Sequence, residues 1–353
     1  MSIWRMGVLL FAVLPVGAQG QSNQSPTPPG RLVNIDQGVS LHIYCTGRSK
    51  PPVVLLHGLG DYSFDWALVQ PAVSKGTQTC SYDRAGQAWS SPGKPPRGPD
   101  TAAHELHTLL DRAGIKPPYV LVGHSWGGLV TRMYVHDYPG EVAGMILVES
   151  ADEDEYLWIN GKVVRPSQMS TEDWESLTKP RSHPATTQQD NATRPPAQTK
   201  AASPPHLEPP YDKLPAGAQK LRLWAMSIPR SKERDEGGDI QDLRGDFIEV
   251  HGALSGDHPL GNIPVVVITK TPETNEDYTK EQLEWNRSLQ DKLARESTNS
   301  VHIVAKHSGH HVQLDDPALV SSAILDLVRA VRRKQPITSS KISVGKTSAL
   351  RPD

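Results

Sequence analysis

Apolar and polar positions along the chain follow two rhythms. Between residues 31 and 155, short apolar runs alternate with longer stretches of helical period. VSLHIYC (39–45) alternates apolar and polar side chains, the pattern of a strand with one buried face. PPVVLLHG (51–58) is continuously apolar, which suits a parallel strand covered on both faces. QTCSYD, YVLVGHS and GMILVES predict three more strands, at 78–83, 119–125 and 144–150. A helix is predicted from about Asp100 to Ala113, with Asp100 as N-cap, Leu106, Leu109 and Leu110 as its apolar face, and Gly114 as its stop. A second runs from about Trp126 to Tyr138 and is halted by Pro139-Gly140. Alternation of this kind predicts an α/β chain with a mostly parallel sheet and helices on both faces.

The rhythm then breaks. Residues 180–215 hold nine of the 31 prolines, among Thr, Gln, Ala and Ser, and read as loop. Only the short pieces TEDWESL and AQKLRLWAM look helical nearby, so residues 156–258 read as an insertion. Alternation resumes with the strand IPVVVITK, a helix of about Lys280–Arg295, the strand SVHIVA, and a last helix from Asp316-Pro317 to about Arg333. The predicted order is therefore a core part at 31–155, the insertion, a second core part at 259–334 and a polar, disordered tail at 335–353.

Composition narrows the picture. With 353 residues and 37% hydrophobic content the chain can build a large core. A net charge of -2 with no basic face argues against nucleic acid as partner. The opening MSIWRMGVLLFAVLPVGAQG has Arg5, a short apolar run from Gly7 to Val16 and small residues after it. That is the pattern of a cleavable signal peptide at 1–20, so a secreted or periplasmic protein is expected. No later apolar stretch is long enough for stable membrane insertion. Oligomeric state is not legible.

Ser125 carries the strongest chemical signal. It lies in Gly123-His124-Ser125-Trp126-Gly127, between a buried strand and a helix. A serine at such a turn has strained backbone angles and presents its hydroxyl at a helix N-terminus. A serine hydroxyl needs a base near pH 7. AKHSGHHVQLDDP offers His307, His310 and His311. These could also ligate a metal, but no supporting ligand set at matching spacing is visible, so neither metal nor cofactor is expected.

As a set, these segments resemble the α/β-hydrolase fold family, over about residues 35–155 and 260–333. LLHGLGD looks like that family's oxyanion loop, YDRAGQAWS its Asp-Arg-x-Gly turn, GHSWGG its nucleophile elbow, and SGHHVQLDDP its histidine segment. The resemblance implies a twisted sheet of about eight strands with an inserted cap. It selects His310 as the base, leaving His307 at the surface and His311 on the other side of the loop. It implies the backbone N–H groups of Leu59 and Trp126 as oxyanion donors, with His57 bracing the loop. Such donors contribute roughly 3 to 4 kcal/mol each to transition-state stabilisation. It also places the strand of Cys45 beside that of Cys80, which in an oxidising compartment predicts a disulfide.

The triad acid has two main candidates. Some members carry it after strand seven, where Glu273 falls near the expected place but the usual glycines are missing. Others carry it after strand six, where Glu149 is the first polar residue after Met145–Val148. Glu149 is the first choice, ahead of Glu273 and then Asp152, Asp154 or Asp277. The acids from Asp152 to Glu155 are expected to be solvated charge at the exit into the cap. Trp158, Trp174 and Trp224 either form a small core in the cap or line a pocket.

The expected function is a carboxylesterase-like serine hydrolase acting on small to medium ester substrates. The same triad could instead serve a cofactor-free haloperoxidase, C–C hydrolase, thioesterase or lyase. A non-catalytic binding protein is the minor alternative, and the presence of both Ser125 and His310 argues against it.

Overall fold

The computed structural model describes residues 25–178, 207–228, 242–271 and 278–338. The expected signal peptide, most of the proline-rich stretch, Glu273, Asp277 and the end of the tail lie outside the described residues.

Eight strands form one sheet: β1 (Arg31–Asp36), β2 (Val39–Thr46), β3 (Val53–Leu56), β4 (Thr79–Tyr82), β5 (Tyr119–His124), β6 (Val142–Val148), β9 (Val265–Lys270) and β10 (Ser300–Ala305). Their order is β1-β2-β4-β3-β5-β6-β9-β10. Pairing is antiparallel from β1 through β2 to β4 and parallel from there to β10.

The continuous apolar runs have a simple cause. Alternate side chains of one strand enter opposite layers. Val54, Leu56, Leu121, Met145, Leu147, Val265 and Val267 pack on one side. Val53, Leu55, Val120, Val122, Ile146, Val148, Val266 and Ile268 pack on the other. The first layer is covered by α2 (Pro99–Arg112) and α3 (Trp126–Asp137). The second is covered by α1 (Gln70–Val73) and α9 (Pro317–Arg333), which follows the single turn of α8 (Val312–Asp315).

Helix starts follow capping chemistry. In α7 (Lys280–Arg295), Thr279 Oγ1 accepts from the Gln282 N–H while Gln282 Oε1 accepts from the Thr279 N–H. Asp316 caps α9 through the Leu319 N–H at 3.0 Å. At α2 the expectation fails, because the cap is Gly98, with Pro99 as first residue and Asp100 inside the first turn. The Asp100 N–H donates instead to Glu249 Oε2 on α6 (Leu243–Ala253) at 3.1 Å. A carboxylate distant in sequence therefore does the work expected of a local cap.

Cys45 and Cys80 are register partners on β2 and β4 and form a disulfide. It closes a loop of 35 residues, which by chain entropy contributes about 3 to 4 kcal/mol.

The insertion between β6 and β9 holds the hairpin of β7 (Leu157–Ile159) and β8 (Lys162–Val164), then α4 (Thr171–Thr178), α5 (Ala216–Met226) and α6. Trp174 is buried, and Trp224 packs on Trp89 with ring centroids 5.0 Å apart. Trp158 is half exposed. Two of the three tryptophans thus serve packing.

The acid burst corrects an expectation. Asp152 and Glu153 are buried, not solvated. The reason is Arg132 of α3, which is fully buried. Its guanidinium donates to Glu153 Oε2 at 2.8 Å and pairs through two further nitrogens with Glu296. Lys292 adds contacts to Glu153 at 2.8 Å and Asp152 at 3.2 Å. Asp152 and Glu153 at the start of the cap are thus tied to α3 and α7. Removing one partner of a buried pair strands the remaining charge at a cost of about 3 to 5 kcal/mol. Arg132→Met is therefore expected to lower the urea midpoint by that much stability, and an unchanged midpoint would show that the network contributes nothing net.

Candidate active site

Ser125 sits between β5 and α3 with φ 52° and ψ -126°, a region L-residues rarely occupy. Holding it there costs roughly 1 to 3 kcal/mol, and the surrounding contacts supply the constraint. A Cβ at Gly123 would lie 2.5 Å from the Gly127 carbonyl oxygen. A Cβ at Gly127 would lie 2.6 Å from the His57 carbonyl oxygen, and one at Gly128 only 1.9 Å from Ser150 Oγ. Strand, helix and oxyanion loop can meet only because these three residues lack side chains. The exit of β6 adds to the turn, since the Ser125 carbonyl accepts from the N–H groups of Gly128 at 2.8 Å and Ala151 at 3.1 Å.

The loop after β3 is clamped by Arg84, a buried residue of the YDRAG turn whose role the sequence does not announce. Its guanidinium donates to the carbonyls of His57 and Gly58, the latter at 2.8 Å, and lies 4.8 Å above the Trp126 ring. In a trans peptide the N–H points opposite to the C=O. Fixing the Gly58 carbonyl therefore aims the Leu59 N–H away from Arg84. Among the described residues that N–H has no protein acceptor. Trp126 is the first residue of α3, so its own N–H has no intrahelical partner. His57 braces the loop, as expected: Nδ1 donates to the Gly58 carbonyl at 2.8 Å and Nε2 accepts from the Arg84 N–H. Burial and the Arg84 charge hold its pKa well below the usual imidazole value, so it is neutral.

Ser125, His310, Glu149, Leu59 and Trp126 all line one cavity of about 340 Å³. Its walls include Leu157, Leu243 and Phe247 from the insertion, together with the polar residues Lys270, Glu155 and Arg287. Burial, then the carboxylates of Asp152 and Glu149, pushes the Glu155 carboxyl well above the usual range. His310 is exposed and lines the cavity. Desolvation, followed by His124, His311 and Lys270, holds its pKa well below the usual value. The sequence-predicted Glu149 is at the carboxyl edge of the sheet with φ 41°. Its Oε2 accepts from the Lys270 N–H at 2.7 Å, and its Oε1 lies 3.8 Å from the Lys270 ammonium. The structure thus brings Ser125, His310 and Glu149 to one cavity, with Glu149 engaged at the end of β9. His307 is exposed, and His311 points to Tyr211 of the insertion.

Sequence reasoning missed a polar cluster behind the loop. Asp61 and His124 are both buried, with His124 Nδ1 3.2 Å from Asp61 Oδ2. Tyr211 donates to Asp61 Oδ1 at 2.7 Å, His311 Nε2 lies 3.5 Å from Asp61 Oδ2, and Arg222 lies 3.5 Å from Asp61 Oδ1. Asp61, His124 and His311 are close enough by spacing alone to hold a cation. The Arg222 cation beside Asp61 and the Tyr211 hydroxyl on His311 Nε2 at 2.7 Å fit a proton-linked network instead. Tyr211 and Arg222 come from the insertion, so the cap is docked on this cluster. A second dock is the bond from Trp126 Nε1 to Asp246 Oδ2 on α6, at 2.8 Å.

Comparison with known proteins places this geometry. A family model described as the alpha/beta hydrolase fold matches residues 51–317. An AB hydrolase superfamily protein of Gibberella zeae is 25% identical over 329 residues, covering 85% of this chain and 95% of that one. A protein of Hormonema carpetanum that carries a transporter name is 42% identical, but only over 117 residues, 31% of this chain and 17% of its own length. Among solved structures, a thermophilic esterase from Thermogutta terrifontis superposes with a TM-score of 0.52 at 19% identity, covering 83% of this chain and 94% of that one. The family match spans both halves of the core, from the oxyanion loop to the histidine segment, and the chain belongs to the α/β-hydrolase fold family.

Proposed function

We propose that the protein is a secreted serine hydrolase that cleaves carboxylic esters of small to medium size. The observation that carries this reading is the convergence of Ser125, His310, Glu149 and the Leu59 and Trp126 backbone on one cavity. The esterase likeness, the lipophilic cavity walls and a signal-like N-terminus support it.

In this reading Ser125 Oγ attacks the ester carbonyl while His310 takes its proton. The carbonyl oxygen becomes an oxyanion held by the Leu59 and Trp126 N–H groups. His310 then protonates the leaving alcohol. Water, deprotonated by the same histidine, attacks the acyl carbon, and as the bond to Ser125 Oγ breaks His310 returns that proton to it, releasing the acid and free Ser125. Glu149 supplies the negative charge that favours the imidazolium of each step. Leu157, Leu243 and Phe247 accommodate the apolar part of the substrate.

A panel of p-nitrophenyl esters tests the reading. The wild type is expected to turn over short and medium chains, and Ser125→Ala to lose about 10³-fold or more of kcat. A folded wild type without ester turnover that still reacts with an active-site probe would point to another reaction on the same triad. Glu149→Gln should lose roughly 10³ to 10⁴ in kcat, as expected when the acid that orients the base is neutralised. Glu273→Gln should stay near wild type, and the reverse ranking would move the acid to Glu273. Desolvation first, then the neighbouring His124, His311 and Lys270, hold the His310 pKa below its usual value. The acid limb of kcat/KM is accordingly expected below about 6.5, the ordinary imidazole value. A limb at or above that value would contradict the assigned environment of His310.

A further inference from the structure

We propose that Asp61 and His124 form a buried ion pair that positions the catalytic base, with His124 holding the His310 backbone and setting a fixed positive charge beside its ring. The effect on turnover rests on the hydrolase reading above, whereas the protonation state of the pair does not.

The protons can be counted. His124 Nε2 lies 2.9 Å from the His310 carbonyl oxygen. A carbonyl oxygen only accepts, so Nε2 carries a hydrogen. The other ring nitrogen, Nδ1, faces Asp61 Oδ2 at 3.2 Å, and both side chains are only 1% exposed. His124 Nδ1 has no other polar partner, while Asp61 Oδ2 also faces His311 Nε2 at 3.5 Å. Without a proton between them, a nitrogen lone pair would face a carboxylate in a site closed to water, which is costly. A proton must therefore lie there. Asp61 also takes a hydrogen bond from Tyr211 and lies near Arg222 and His311, all of which favour its ionised form. Burial works against that charge, but the bonds from His124 and His311 outweigh it and hold the Asp61 pKa well below the usual range. The proton then belongs to His124, whose two ring nitrogens are both donors.

The position of the pair gives it leverage. A Cβ at Gly58 would lie 2.9 Å from His124 Nδ1, 3.0 Å from Asp61 Oδ2 and 3.1 Å from Ser125 Cβ. The pair thus fills the junction of oxyanion loop, nucleophile turn and base loop. The ring centroids of His124 and His310 are 4.9 Å apart. The charged groups around His310 are His124 from the end of β5, Asp61 from the oxyanion loop, His311 from its own loop and Lys270 from β9, while Glu149, Glu155 and Arg287 line the same cavity. Of the two members of the pair, His124 acts on His310 more strongly than Asp61 does. Its positive charge disfavours a second positive charge on His310, so the base stays neutral and ready to accept a proton.

Nitrogen-15 NMR of histidine-labelled wild type at pH 7 tests the pair directly, with His124 assigned by comparison with His124→Gln. Both His124 ring nitrogens are expected to be protonated, and a single protonated nitrogen overturns the proposal. This readout needs no activity, so it stands even if the hydrolase reading fails. Asp61→Asn supplies the functional arm. The amide can donate to His124 Nδ1, so the bond to the His310 carbonyl survives while the charge on His124 is lost. The acid limb of kcat/KM should then move up by about half to one pH unit. An unmoved limb in folded Asp61→Asn overturns the tuning role. A stoichiometric divalent ion in purified wild type that is lost in Asp61→Asn overturns the ion-pair assignment.

Discussion

The site depends on one steric constraint: the first turn of α3 must press against β5, the exit of β6 and the oxyanion loop at the same time. Three glycines permit it, and no side chain fits at any of them, since a Cβ there would meet backbone or Ser150 at 2.6 Å or less. Once the helix is that close, Ser125 has no ordinary backbone angle open to it and adopts φ 52°. The same closeness brings the Trp126 amide beside the Leu59 loop. Strain at the serine is therefore a consequence of packing, maintained by a core in which both faces of the central strands are buried.

Around that contact, buried charges fix the loops. Arg84 holds the loop after β3 by two carbonyls, His124 holds the His310 carbonyl, and Arg132 gathers Glu153 and Glu296 beneath the start of the cap. Each cluster joins segments far apart in sequence. Apolar replacements could in principle match their contribution to stability, because burying charge is costly. What apolar packing could not reproduce is direction. A guanidinium on two carbonyls decides which way the next N–H points. Tyr211, Arg222 and Asp246 extend the same logic to the insertion, docking it on Asp61 and Trp126.

Much of this could be read from the chain, for identifiable reasons. The central strands were legible because burial on both faces leaves a continuous apolar run. Ser125 was singled out by its strand–turn–helix context and His310 by the resemblance of its segment to the family's, and both line the one cavity. The Cys45–Cys80 bond was expected because the family resemblance implies adjacent strands for the two cysteines, and they are register partners on β2 and β4. Other features depend on partners that no local window contains. The Asp100 expectation failed because Glu249, about 150 residues away, caps that helix. Asp152 and Glu153 looked solvated because nothing near them in sequence announces Arg132 and Lys292. β1 and the β7–β8 hairpin were missed because their burial is slight and their alternation weak. His124 was legible only as one letter of the elbow, although its ring joins Asp61 to the base loop.

The central claim is that Ser125, held at its strained turn, is the nucleophile. Peptide mapping after reaction with a fluorophosphonate tests it most directly. One phosphonyl group per molecule on the peptide carrying Ser125 is the expected result. An adduct on any other residue, or none on folded protein, would contradict it.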